Sequence, residues 1–313
     1  MKPASFDYVA PRTVREAVDA LAGNGRKTQV LAGGQSLILE MHLQRIRPEL
    51  VVDINRVAEL DHMDVQMDGD DSTLRVGALI RHDAFESEQA VPGPLGTLFA
   101  CAVANIAHPP IRSRGTMVGS LAWAHPASEW CAIALALDAD LELHGTGGPR
   151  EIPARGYFHG PFQTARRPDE LITAVRFPLL TGDTGVGFIE HRRTHFCFAQ
   201  VAVAATLTAR DGVITEARIG LVNCADRPVR ARAAERALIG ADLAPPAGRR
   251  VPGDHPFARA GRIAAEQDAA PVAEPYADVE YRRQAIAVLV GRTLREAAKD
   301  QRSRAAASEG DHR

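Results

Sequence analysis

With 313 residues, 45% of them hydrophobic and 24% charged, the chain is long enough for about two domains that each bury a core. Its formal net charge of −2, and the lack of any basic cluster interleaved with aromatics, exclude a nucleic-acid surface. No stretch approaches the ~18 unbroken apolar residues of a membrane span, and Met1 to Tyr8 is mixed polar and aromatic where a signal core would be apolar, so a cytoplasmic protein is expected.

Cysteines stand at 101, 131, 197 and 224, with no Cys-x-x-Cys and no histidine at metal-ligand spacing, so neither an iron–sulfur cluster nor a zinc site is encoded. Reduced, mostly buried thiols are expected.

Phe6 to Val9 reads as a first strand. Pro11 and Thr13 then punctuate and cap a helix whose Val14, Ala17, Val18 and Leu21 share one face, and Gly23-Asn24-Gly25 ends it. Thr28 to Leu31 has the β-branched, apolar character of a short buried strand, and it stops at Gly33-Gly34. Glycines let the backbone take positive φ and turn several N–H groups the same way, a geometry suited to an anion. Ser36 stands where a helical turn begins, its hydroxyl free to cap that turn or to meet a phosphate oxygen. An ordinary strand-to-helix turn reads the same way up to this point. His42, Arg45 and Arg47 follow and read as solvated or phosphate-facing, and Leu50 to Ile54 closes a compact α/β unit as another strand.

A second unit opens with a hairpin, Leu60 to Met67 and Leu74 to Ala78 about a Gly69 turn. Helical periodicity returns around Asp83 to Glu88 and from Leu95 to Ile106. In Ile111-Arg112-Ser113-Arg114-Gly115-Thr116-Met117-Val118-Gly119-Ser120-Leu121-Ala122, small and hydroxyl residues again interrupt packable sequence, and this turn is able to converge with the first on one ligand. Pro126-Ala127-Ser128-Glu129 marks a helix start, and strands follow at Ala139 to His144 and Leu171 to Phe177. Past a boundary marked by Pro178 and Gly182 come strands at Gly187 to Glu190, Phe198 to Leu207 and Val213 to Leu221, the last two joined at Asp211-Gly212. Arg232 to Ile239, Pro256 to Gln267 and Val279 to Ala298 read as helices, separated by loops such as Ala244-Pro245-Pro246-Ala247-Gly248. The charged, small-residue tail from 299 to 313 is expected to be disordered.

The Ala-Gly-Gly-Gln-Ser loop, the Ile-Arg-x-Arg-Gly-Thr-x-x-Gly-Ser-Leu-Ala stretch and the Pro-Ala-Ser-Glu that follows resemble the FAD-binding medium subunit of the molybdenum hydroxylases, the family of carbon monoxide dehydrogenase medium chains and the flavin domain of xanthine dehydrogenase. His191-Arg192-Arg193, Phe198-Ala199 and Glu280-Tyr281-Arg282-Arg283 extend the resemblance over nearly the whole chain. It implies an α+β fold: a two-part PCMH-type FAD-binding α/β domain over 1–178, with parts 1–56 and 57–178, then a sheet-plus-helices domain of the CO dehydrogenase flavoprotein type over 184–298.

It also implies that Ala32, Gly33, Gly34, Gln35 and Ser36 on one side, and Thr116, Gly119 and Ser120 on the other, hold the FAD diphosphate, with Leu31 and Leu37 also among the FAD-binding residues. Their amides and hydroxyls are neutral, so aligned dipoles must do most of the stabilising. Glu129 would accept ribose or ribityl hydroxyls, or else serve only its helix dipole; Leu171 or Ile172 would line the ring edge, and Phe198 would lie near the isoalloxazine or pack in a core. Val118 departs from the usual glycine pair, so position 118 must be extended with its amide still toward phosphate, or that contact is lost. His125 stands where relatives often have an acid, and Glu190 where they often have a base.

Two partners are implied, a small subunit with two [2Fe–2S] clusters and a large subunit with the molybdopterin cofactor, assembled as a dimer of heterotrimers. Electrons would pass from the clusters through FAD to NAD⁺, oxygen, a quinone or another carrier. A stand-alone PCMH-type flavin oxidase and a flavin-free scaffold subunit use the same architecture and remain open at this level.

Overall fold

The computed structural model describes residues 2–311 except 24, 69, 70, 247 and 249. Asn24 of the first helix stop, the Gly69 turn, Ala247 of the Pro-rich loop and the last two tail residues therefore lie outside the described residues. In chain order the first elements are β1 (Asp7–Val9), α1 (Val14–Ala22), β2 (Thr28–Leu31), α2 (Leu37–His42), β3 (Leu50–Asp53), β4 (Met63–Asp68) and β5 (Asp71–Gly77). Next come α3 (Gly93–Val103), α4 (Pro109–Arg112), α5 (Met117–Trp123), α6 (Glu129–Ala136), β6 (Asp140–Gly145), β7 (Gly148–Pro153), β8 (Phe158–Gly160), β9 (Gln163–Thr164) and β10 (Leu171–Pro178). The chain continues with β11 (Gly185–His191), β12 (Val201–Arg210), β13 (Val213–Val222), β14 (Val229–Arg230), α7 (Arg232–Leu238), α8 (Pro256–Ile263) and α9 (Val279–Asp311).

The first compact unit comprises residues 1–84, 108–124 and 138–178. Its parallel three-stranded sheet has the order β1-β3-β2, with Leu50 of β3 aligned to both Asp7 and Thr28. Thr13 caps α1 by accepting from the Glu16 amide at 3.1 Å, a bond of the kind worth about 1 kcal/mol. The buried Val14, Ala17, Val18 and Leu21 then turn α1 against β3, β6 and β10. A five-stranded antiparallel sheet, β4-β5-β10-β6-β7, supplies the rest, with Arg75 and Glu142 paired at 2.8 Å across it. The hairpin from β6 into β7 is an element the periodicity did not expose, since Gly147-Gly148-Pro149 reads simply as loop.

The second unit comprises residues 85–107, 125–137 and 179–313, so α3 and α6 join it although both precede β10 in the chain. Its antiparallel sheet has the order β11-β12-β13-β14. β12 is buried on both faces: Val201, Val203, Ala205 and Leu207 meet the core made with α7, α8 and α9, while Ala202 meets Ala132 of α6. That double burial explains a strand with almost no polar alternation. Asp211 and Gly212 both take positive φ, as a tight hairpin requires.

The segment expected to be disordered after residue 298 is, as far as Asp311, a continuation of α9. Its alanines and long straight side chains are good helix formers, and tertiary contacts hold it. Asp300 accepts from the Val186 amide at 2.9 Å and from Arg304 at 2.7 Å, Arg304 reaches the Thr97 hydroxyl at 2.9 Å, and Gln301 is buried.

Candidate functional site

β2 ends at Leu31, and Ala32 to Ser36 carry the chain into α2. Gly34 has φ +74°, and any Cβ on Gly33 would overlap the carbonyl oxygen of Arg114, so the two small-residue loops touch backbone to backbone. The carbonyls of this first loop are engaged, Gly34 by the Ile38 amide at 3.1 Å and Ser36 by the Glu40 amide at 3.2 Å. Its amides are not: among the described residues, the N–H groups of Gly33, Gly34, Gln35 and Ser36 donate to no protein acceptor. Ser36 makes no side-chain cap, which leaves its hydroxyl available as well. Four consecutive unpaired donors at the positive end of a helical turn suit an anion chemically.

The second loop is more fully committed. Thr116 caps α5 by accepting from the Gly119 amide at 2.9 Å, Met117 donates to Ile80 at 3.3 Å, and Ser120 donates to Thr116 at 3.2 Å. The Val118 amide has no protein acceptor among the described residues. Position 118 is not extended: it lies in the first turn of α5, where a β-branched residue is tolerated and the N–H is unpaired by helix geometry. The contact that the missing glycine put in question therefore remains open to an anion. The Gly119 amide, expected to face phosphate, donates to Thr116 Oγ1 instead, while the Thr116 hydroxyl keeps its own proton to donate.

Both loops line one groove of about 920 Å³, its open mouth included. Ala32, Gly33, Gly34, Gln35, Ser36, Leu37, Thr116, Gly119, Ser120 and Ile172 all contribute to its wall, as does Leu171. Leu31 does not; its side chain packs with Leu37, Met41 and Val51, because the period of the strand turns it away. His82 and Arg166 also line the groove and carry no marker in the sequence. Burial, reinforced by Arg112 and Arg81, pushes the His82 imidazole down to about 3, so it is neutral at physiological pH. Arg45 and Arg47 line a neighbouring cleft with Arg26 and Lys27, which shares Gln29 and Arg166 with the groove. Arg45 lies 3.5 Å from Glu40 and Arg47 bonds Gln44, so neither contributes to the groove.

Glu129, Phe198, His125 and Glu190 belong to the second unit. Burial, together with the charge of Glu190, pushes the Glu129 carboxyl up to about 8, with Arg192 opposing. Glu129 is thus a neutral acid near pH 7 and able to donate, where a carboxylate acceptor was expected. Burial likewise raises Glu190 to about 7, and both its oxygens are buried without a hydrogen bond among the described residues, Arg192 standing 3.5 Å away. Phe198 is 65% exposed and stacks flat on His125 with ring centres 4.3 Å apart, so it packs in no core. Asn223 fixes both sides of that stack, donating from its backbone to Pro126 at 2.9 Å and from its side chain to Ala199 at 2.8 Å. Arg282, almost wholly buried, bonds the carbonyls of Asn223 and Gln200 and lies 3.0 Å from Glu274, which gives the Glu280 to Arg283 marker a structural meaning.

Fold and groove are those of a flavoprotein module. Residues 4–180 match the model of the FAD binding domain in molybdopterin dehydrogenase, and residues 188–297 that of the CO dehydrogenase flavoprotein C-terminal domain. The chain belongs to this family of FAD-binding medium subunits of the molybdenum hydroxylases, and it is an oxidoreductase subunit. It is 36% identical over 298 residues to the 6-hydroxypseudooxynicotine dehydrogenase complex subunit alpha of Paenarthrobacter nicotinovorans, covering 95% of this chain and 96% of that protein. It is also 36% identical over 255 residues to the caffeine dehydrogenase subunit beta of Pseudomonas sp. (strain CBB1), covering 81% and 83%. Among solved structures, a carbon monoxide dehydrogenase from Hydrogenophaga pseudoflava matches with a TM-score of 0.86 at 31% identity, covering 96% of this chain and 99% of that one.

Proposed function

We propose that this chain carries FAD between the [2Fe–2S] clusters of a small partner subunit and an external electron acceptor, in a cytoplasmic complex whose large subunit holds the molybdopterin cofactor. The observation that carries the reading is the run of four unpaired amides at Gly33 to Ser36, in residues that line the same groove as Val118, whose amide is also unpaired. These donors fit a diphosphate, whose two negative charges would replace the absent protein acceptors. When bound, FAD accepts electrons singly or in pairs and so suits a junction between one-electron and two-electron carriers. Ala32 to Leu37, Thr116 and Val118 to Ser120 would hold it, and Leu171 and Ile172 would line its edge.

No metal-binding group of three or more His, Cys, Asp or Glu occurs among the described residues, and no described helix is long and apolar enough to cross a membrane. The relatives' names include a caffeine, a 6-hydroxypseudooxynicotine and a carbon monoxide dehydrogenase, which fits a module whose substrate is chosen on another chain. A dimer of heterotrimers is the assembly we propose.

Co-purification of this chain with its partner subunits, followed by metal and cofactor analysis, tests the reading. Expected are iron, molybdenum and FAD in one complex, and a chain that, purified alone, shows only flavin bands near about 370 and 450 nm. Reduction of the isolated chain by an organic substrate would favour a self-sufficient oxidase, and a colourless chain that refuses FAD would favour a scaffold.

A further inference from the structure

We propose that Arg81 and Asn55 form a polar clamp that fixes the spacing of the two anion-facing loops and thereby sets FAD affinity; this rests on the flavin reading above. Neither residue lines the groove. The Asn55 amide donates to the carbonyl of Ala32 at 2.9 Å and to Asp53 at 2.6 Å, while its oxygen accepts from Arg81 Nη2 at 2.6 Å. The other Arg81 nitrogen, Nη1, donates to the carbonyl of Arg114 at 2.6 Å. One guanidinium and one amide therefore connect the residue before Gly33 to the residue before Gly115. The amide orientation is fixed by chemistry, since a guanidinium only donates and a carbonyl only accepts.

Both ends are anchored. Asp53, the last residue of β3, accepts from the Tyr8 hydroxyl at 2.6 Å and from the Asn55 backbone at 2.9 Å. Burial pushes the Asp53 carboxyl up, but these bonds outweigh it and hold the group below its ordinary value. Arg81 pairs with Thr116 through an isolated bridge, flanked by bonds from His82 to Gly115 at 2.9 Å and from Met117 to Ile80 at 3.3 Å.

A clamp is needed because the loops meet through glycine. Gly33 lies against the Arg114 carbonyl with no side chain between them, so neither loop carries a group able to set the gap. The amide donors must stand at fixed separation before the ligand arrives, since ordering them on binding would weaken affinity. The planar two-pronged guanidinium suits that task, and lysine does not reproduce it. Arg81 and Asn55 are therefore positioning residues, acting on the diphosphate through the backbone of Ala32 to Ser36 and of Gly115 to Val118.

The test is FAD titration of the purified full chain by flavin fluorescence, set beside urea unfolding of the same proteins without FAD. The variants are Arg81→Ala, Arg81→Lys and Asn55→Ala. Arg75→Ala is the control, because it breaks the Arg75–Glu142 pair in the same unit without touching either loop. Expected is a Kd raised tenfold or more in Arg81→Ala and Asn55→Ala, partial recovery in Arg81→Lys, and an unchanged Kd in Arg75→Ala even if it unfolds as readily. An Arg81→Ala Kd within twofold of wild type would overturn the clamp while leaving the flavin reading intact. So would an Arg75→Ala loss of affinity matching that of Arg81→Ala, since the effect would then follow stability alone. Should Arg81→Ala fail to fold, Asn55→Ala decides the matter by itself, because it leaves the Arg81 to Arg114 bond in place. A wild-type chain that takes up no FAD sinks the flavin reading and the clamp together.

Discussion

Val118 shows how much a single backbone position decides. A valine where the family usually has glycine raises the question of a lost anion contact, and the answer lies in its place at the start of α5, where its amide is free and its φ is helical. Val118→Gly should therefore change the flavin content of the purified chain little. Val118→Pro, tolerated in a first helical turn, removes the N–H and should weaken FAD binding by about 1.5–3 kcal/mol, the range for a hydrogen bond to a charged group. Three buried titrating groups give stability a pH dependence from both sides. His82 has a folded value near 3 against 6.5 unfolded, so its contribution is present above about pH 6.5 and is lost as pH falls toward 3. At pH 5 the loss is on the order of 2 kcal/mol at most, and His82→Asn should flatten that limb of a denaturation series. Glu129 and Glu190 are raised to about 8 and about 7, so their contribution is present below about pH 4.5 and fades as pH climbs through 7 to 8. Glu190→Gln should shrink that alkaline decline. The two glycine turns were legible because only small residues make such loops. Arg81 and Asn55 were not, because their pairing across 26 residues exists only once β3 and β5 have brought their ends together.

At the scale of elements, hydrophobic periodicity located the capped α1, the strands β2, β3, β12 and β13 and the helix α9, each of which has a long or sharply punctuated pattern. It missed β7, whose glycines and proline mask a strand, and it stopped α9 at residue 298 where the apolar face gives out. Charge and alanine continue that helix because Asp300 and Arg304 bind groups on β11 and α3, which no local pattern reveals. Truncation after residue 298 should accordingly destabilise the second unit, and Asp300→Ala alone should cost about 1–2 kcal/mol in urea unfolding by leaving the Val186 amide unpaired. Unchanged midpoints in both would mean the segment contributes nothing to the fold.

For the whole molecule, the two family segments, 4–180 and 188–297, do not coincide with the two compact units, because α3 and α6 pack with the β11 to β14 sheet. Sequence order alone concealed this, since a helix placed between strands of one sheet is expected to cover that sheet. The run of unpaired amides lies wholly in the first unit, while Glu129 and Phe198 lie in the second. The most direct test of the central claim is therefore a set of equilibrium titrations of the isolated wild-type chain with FAD, FMN and riboflavin, with ADP as competitor. If backbone amides hold a diphosphate, FAD should bind at least tenfold more tightly than FMN and more tightly still than riboflavin, and ADP should displace it. Equal affinity for FAD and riboflavin, with no competition from ADP, would contradict it.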